Sequence, residues 1–320
     1  MGITLLHLAG AGLLLLSIGY FLPCIKNKGI ARAIAWTLAV ITVVFAITGT
    51  TAQSPLYRMM TIVPLLLLTM KVIVLNETYR IRPGLNFLQW CAFSLGWFGM
   101  RPLLFETLIS KPLPYKTLLI KGSVAIVAGM MLLHLSIRIE IYCAQLFFIP
   151  ELIILSGVSL MLHFGLLNLS ASFWRISGVD VQELFKAPYQ AKSLKEFWGK
   201  RWNVAFSEMT SIIVYRPLKN QWGQSKALLA AFLLSGILHE IAISIPAQSG
   251  YGLPISYFII HAALMIAEEK SAVVKKILRH KIACHVWVAV WVIVPLPLLF
   301  HFGFMNRVII PLRDAIVHVV

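Results

Sequence analysis

The chain of 320 residues is 59% hydrophobic, has only 12% charged residues and shows a mean hydropathy of +0.84. These values lie far outside the range of water-soluble domains and describe an integral membrane protein. The net charge of +16 does not signal a nucleic-acid partner, because Lys and Arg lie mainly in short breaks between apolar runs, where insertion topology and lipid phosphates account for them.

A bilayer core of about 30 Å asks for roughly 20 apolar residues per helix. Runs that meet this requirement cover 3–22, 33–50, 59–75, 118–137, 145–169, 227–246, 251–267 and 283–304. Residues 1–22 lack a basic start and a small-x-small cleavage site, so they read as a first spanning helix and not as a secretory signal. The run 87–100 is short for a crossing and is closed by Arg101-Pro102, which predicts a re-entrant or tilted segment. The expected fold is an all-α integral membrane protein of about eight to nine transmembrane helices, with 1–320 forming a single polytopic membrane domain. Multi-pass insertion is expected in the endoplasmic reticulum of a eukaryote or the inner membrane of a bacterium.

Basic residues orient the chain. Lys26, Lys28 and Arg32 mark the first break as cytoplasmic, as do Arg80 and Arg82 for the third, and Lys270, Lys275, Lys276, Arg279 and Lys281 for the break at 268–282. The uncharged breaks at 51–57 and 247–250 fall on the opposite side. Cys24, Cys91, Cys143 and Cys284 show no CxxC pairing and read as buried free thiols.

The longest polar stretch, 170–226, then lies on the cytoplasmic side, with nine Lys or Arg against four Asp or Glu. At its centre is KSLKEFWGKRWN, 192–203. Ser193 and Glu196 have the spacing of a capping box and predict a helix LKEFWGKRWNVAFSEM. Leu194, Phe197, Trp198, Arg201, Trp202 and Ala205 recur at helical spacing beside a basic face, the pattern of a helix lying at headgroup level. An aromatic and basic anchor explains most of this segment, but anchoring does not call for the amide of Asn203 at its apolar end.

His239 and Glu240 lie deep in the run 227–246. His239 is about twelve residues in from the cytoplasmic end, roughly 18 Å at 1.5 Å per residue. An ionisable pair at that depth is costly and points to a functional site facing a cavity or bundle interior. Ser235 and Gly236, one turn earlier, leave room beside the imidazole. His134, His163 and His261 lack such small neighbours and read as packing histidines. The chain has two aspartates, Asp180 and Asp314, too few for paired Asp-rich magnesium motifs. It has no GxSxG or P-loop, and His280 with His285 is no diiron cluster. No metal and no cofactor is expected.

In order, DVQELF at 180–185, Pro188-Tyr189, SLKEFWGKRWN, VYRP at 214–217 and LLSGILHE ending at Glu240 resemble the wax synthase branch of the membrane-bound O-acyltransferase (MBOAT) superfamily. The resemblance implies an MBOAT-like bundle with a central tunnel, in which 170–226 is the interfacial segment and 227–267 carries the catalytic histidine. It places the family's histidine on His239 and its asparagine on Asn203.

The implied reaction is transfer from acyl-CoA, as co-substrate, to a lipid or long-chain alcohol. His239 acts as general base, and Asn203 orients it or steadies the oxyanion. Trp198, Lys200, Arg201, Trp202, Ser235, Gly236 and Glu240 are the expected substrate-binding residues, with Lys192 and Lys195 beside them for the nucleotide phosphates. Expected partners are acyl-CoA, a hydrophobic alcohol and membrane lipids. Two alternatives stand: acylation of a specialised metabolite such as a terpenoid or polyketide alcohol, and a non-catalytic lipid-binding or transport protein.

Overall fold

The computed structural model describes residues 5–79, 84–142 and 149–319. Arg80, Arg82 and Cys143 lie outside the described residues. Helices are the regular elements of the described residues, with no strand among them. Six helices are long and apolar enough to cross a membrane: His7–Cys24, Lys28–Gly49, Pro55–Thr78, Lys116–Ile139, Ile149–Ile176 and Gln224–Ala247. The pair Ala272–Arg279 and Ala283–Leu299, bent by 115°, makes a seventh if it is one span. The expected span at 251–267 is a helix, Leu253–Lys270, but it ends on Glu268, Glu269 and Lys270.

Residues 87–100 contain a ten-residue helix, Phe87–Gly96. At about 1.5 Å per residue it covers roughly half a bilayer core. Its C-terminus would leave carbonyls unpaired inside apolar surroundings. Lys71, fully buried in Pro55–Thr78, answers this by donating to Phe93 O at 2.8 Å, Trp97 O at 2.6 Å and Gly99 O at 2.7 Å. Three ammonium hydrogens meet three carbonyls, and the cation also lies 3.8 Å from the Phe93 ring centroid. Trp90 fixes the other face of the short helix, with its indole N–H on Leu16 O at 2.9 Å.

The predicted helix LKEFWGKRWNVAFSEM is interrupted. An α-turn at Leu194–Glu196 runs into a π-helical turn at Phe197–Arg201. Trp202 is extended, Asn203 has φ 44° and ψ 62°, and a new helix covers Val204–Thr210. At the break the aromatics pack against the protein, where a continuous stripe had been expected to face one side. Phe197 is buried, and Trp198 packs edge-on against Phe232, Tyr257 and His261.

Candidate functional site

The motif is latched to Leu253–Lys270. Buried Glu268, near the C-terminal end of that helix, accepts from the Leu194 N–H at 2.7 Å, the Lys195 N–H at 3.1 Å and the Trp287 indole at 2.9 Å. It caps the first turn of the motif by accepting from two of its backbone N–H groups. This residue was not singled out from the sequence, because its partners lie 74, 73 and 19 positions away. Its one sequence signal is a carboxylate closing an apolar run.

The expected capping box forms in part. Ser193 Oγ accepts from the Glu196 N–H at 3.0 Å, whereas the Glu196 carboxylate takes the Lys192 N–H at 2.9 Å and the Arg201 Nε–H at 2.7 Å. Burial pushes the Glu196 carboxyl up, but the Lys192 amide and the Arg201 guanidinium outweigh it and hold it below the usual carboxylate range. Arg201 also donates to Lys186 O at 3.3 Å and Ala187 O at 3.2 Å, so it folds the preceding loop onto the motif. Lys192, Lys195 and Lys200 are exposed; the Lys192 ammonium also acts on the Glu196 carboxylate through charge, and those of Lys195 and Lys200 have no hydrogen-bond or ion-pair partner among the described residues.

At the break, Trp202 stacks on Phe197 at 5.5 Å and meets Phe185 edge-on at 4.9 Å. Asn203 caps the next helix, its carboxamide oxygen accepting from the Phe206 N–H at 3.2 Å. The left-handed conformation it adopts is one that Asn tolerates better than most side chains. Its amide N–H₂ has no partner among the described residues.

His239 ends the helix Gln224–His239, immediately before a π-helical turn at Glu240–Ser244. Its Nδ1 lies 2.7 Å from Ser235 O. A carbonyl oxygen only accepts, so Nδ1 carries the proton and the neutral ring presents the Nε2 lone pair. Phe258 and Phe206 pack on the ring at 4.4 and 5.3 Å. The residue is half-buried, and among the described residues Nε2 has no hydrogen-bond partner and is not enclosed.

The small residues before it serve other ends than the room anticipated for them. Ser235 Oγ donates back to Ala231 O at 3.0 Å, which leaves no activated hydroxyl. A Cβ on Gly236 would lie 2.8 Å from the Ile255 Cα, so glycine allows the helices Gln224–His239 and Leu253–Lys270 to meet. Glu240 Oε1 accepts from the Gly252 N–H at 2.9 Å, and its other carboxylate oxygen is buried without a hydrogen-bond partner among the described residues.

The remaining histidines separate by environment. His134 is exposed on the outer face of its helix, with Nδ1 on Met130 O at 2.9 Å. His261 is fully buried against Tyr257 and Trp198, and its Nε2 is enclosed. His163 lies against Phe185 and Trp202, with ring centroids 4.5 and 5.6 Å apart.

Comparison with known proteins bears on the same segment. Residues 181–260 match the model of the membrane bound O-acyl transferase family. The chain is 28% identical over 178 residues to a probable long-chain-alcohol O-fatty-acyltransferase of Arabidopsis thaliana, covering 53% of this chain and 44% of that protein. It is 30% identical over 114 residues to a long-chain-alcohol O-fatty-acyltransferase of Simmondsia chinensis, covering 33% and 32%. A third relative, 30% identical over 104 residues, is an acyl-CoA–sterol O-acyltransferase of Arabidopsis thaliana, with 29% and 30% covered. The matches span less than half the length of these relatives. The resemblance to this family and its wax synthase-like branch holds over the stretch that carries the motif and His239.

Proposed function

We propose that the chain is an acyl-CoA-dependent O-acyltransferase that esterifies a lipid alcohol, working in a tunnel through a bundle of eight to nine spans. The observation that supports this reading is the contact between His239 Nδ1 and the Ser235 carbonyl. A backbone carbonyl holds Nδ1–H at 2.7 Å and so aims a lone pair, not a proton, at the accessible side.

In this reading the alcohol hydroxyl hydrogen-bonds to His239 Nε2. Nε2 takes the proton as the alcohol oxygen bonds to the thioester carbonyl carbon. The oxyanion that forms accepts from the free amide N–H of Asn203. Collapse of the tetrahedral adduct breaks the carbon–sulfur bond, and the departing thiolate takes the proton back from His239. The products are an ester and free CoA thiol, and His239 returns to its starting form. Exposed Lys192, Lys195 and Lys200 meet the nucleotide phosphates as point charges. Trp198 lines the acyl path, its indole N–H buried without a partner among the described residues. Relatives named for long-chain alcohols and for a sterol support a lipid alcohol as acceptor.

Purified protein with labelled acyl-CoA and a panel of long-chain, sterol and terpenoid alcohols tests the reading. Ester formation with stoichiometric CoA release is expected. No ester and no CoA release with any acceptor would remove the acyltransferase assignment and leave a lipid-binding protein.

A further inference from the structure

His163 occupies the middle of the span Ile149–Ile176, on its one π-helical turn, Leu160–Leu166. Such turns shift the side-chain register of a helix and are frequent at functional sites. The shift brings the imidazole against Trp202 and Phe185, which border the break that presents Asn203. The residue is half-buried, and Nδ1 lies 3.0 Å from Ser159 Oγ. Nε2 has no protein partner among the described residues and is not enclosed. His163 and His239 share this open Nε2, whereas His261 and His301 have theirs shut in protein.

The two open imidazoles differ in what holds the other nitrogen. At His239 a carbonyl forces the proton onto Nδ1. At His163 the neighbour is a hydroxyl, which is able to donate to Nδ1 and leave the proton on Nε2. One ring then offers a base and the other an N–H donor, on either side of the Trp202–Asn203 break.

We propose that His163 is a ligand-binding residue whose Nε2–H holds a carbonyl oxygen of the acyl donor. The inference rests on the acyltransferase reading and names a donor contact that the motif and the relatives do not supply. A donor carbonyl is the fitting partner because it accepts and cannot donate. His163 also packs on Phe185 and Trp202 of the 180–203 segment, whose exposed lysines, in the acyltransferase reading, meet the charged end of the same molecule. The oxygen is that of the thioester or of an amide in the pantetheine arm.

Steady-state kinetics of His163→Phe, His163→Gln and Ser159→Ala test it in otherwise wild-type protein, with acyl-CoA and with a simple alkyl thioester as donors. Phenylalanine keeps the ring packing on Phe185 and Trp202 and loses the N–H. Glutamine loses the ring and keeps an N–H donor. A donor contact therefore predicts that His163→Phe raises the KM for acyl-CoA by roughly tenfold, the scale of one neutral hydrogen bond. His163→Gln is milder, and Ser159→Ala moves in the same direction as His163→Phe. Sensitivity with both donors assigns the thioester oxygen, and sensitivity confined to acyl-CoA assigns an arm amide. The reverse order, with Phe tolerated and Gln impaired, would show a packing role and overturn the proposal while leaving the acyltransferase reading intact. Wild-type protein that transfers no acyl group would overturn both.

Discussion

Asn203 and His239 are coupled through one intervening side chain. The Asn203 carboxamide oxygen accepts from the Phe206 backbone N–H at 3.2 Å, and the Phe206 ring lies edge-on to the His239 imidazole at 5.3 Å. The capping oxygen and the free amide N–H of Asn203 thus have separable roles.

Asn203→Asp separates them, because a carboxylate keeps the capping oxygen and removes the N–H. If the N–H steadies the oxyanion, turnover in Asn203→Asp falls by about 10²-fold with thermal stability near wild type. Asn203→Ala loses the cap as well, at a further cost of about 1 kcal/mol in stability. Full turnover in Asn203→Asp would confine the residue to capping.

Glu268→Gln tests the latch on the motif. A neutral amide oxygen replaces a carboxylate that holds Leu194 N–H, Lys195 N–H and the Trp287 indole together. Backbone amide exchange at Leu194 and Lys195 should accelerate, and the KM for acyl-CoA should rise, as the first turn loosens. Unchanged protection of these amides would show that Ser193 and Glu196 hold the turn without it.

Lys71→Met keeps the length of the side chain and removes its three donors. The carbonyls of Phe93, Trp97 and Gly99 are then buried unpaired, each at about 1–3 kcal/mol. Thermal unfolding in detergent should show a loss of roughly 3 kcal/mol or more. An unchanged midpoint would mean that water or a neighbouring donor replaces the ammonium.

Much of the fold was legible because apolar length is a robust signal. That 87–100 holds no full-length spanning helix was readable from its length and the Arg-Pro that follows. The partner of its C-terminus was not, since Lys71 precedes the carbonyls it holds by 22 to 28 positions. His239 and Asn203 were found through resemblance and membrane depth. The interruption at Trp202–Asn203 escaped periodicity, because a π-turn adds a residue to the repeat and a left-handed Asn leaves no hydropathy trace. His163 was set aside for want of small neighbours, a criterion that Gly236 undermines: glycine there serves helix packing against Ile255.

Acid should loosen the motif through Glu196. Its carboxyl is held below the usual value of 4.5 by the Lys192 amide and Arg201 once these outweigh burial. A carboxylate lowered in this way stabilises the folded form above its unfolded value and gives up that contribution as pH falls through the folded one. Proteolysis within 186–201 should therefore rise as pH drops below 4.5, and Glu196→Gln should abolish that dependence. A pH dependence that persists in Glu196→Gln would place its origin in another group.

If His239 Nε2 receives the alcohol proton, His239→Gln should lose turnover while the fold survives. Glutamine keeps approximate volume and hydrogen bonding but is no base. Ester formation from labelled acyl-CoA should fall by about 10²-fold or more in a variant that inserts, folds and binds acyl-CoA as the wild type does. Near-normal ester formation by well-folded His239→Gln protein would show that the imidazole is a packing group and not the base.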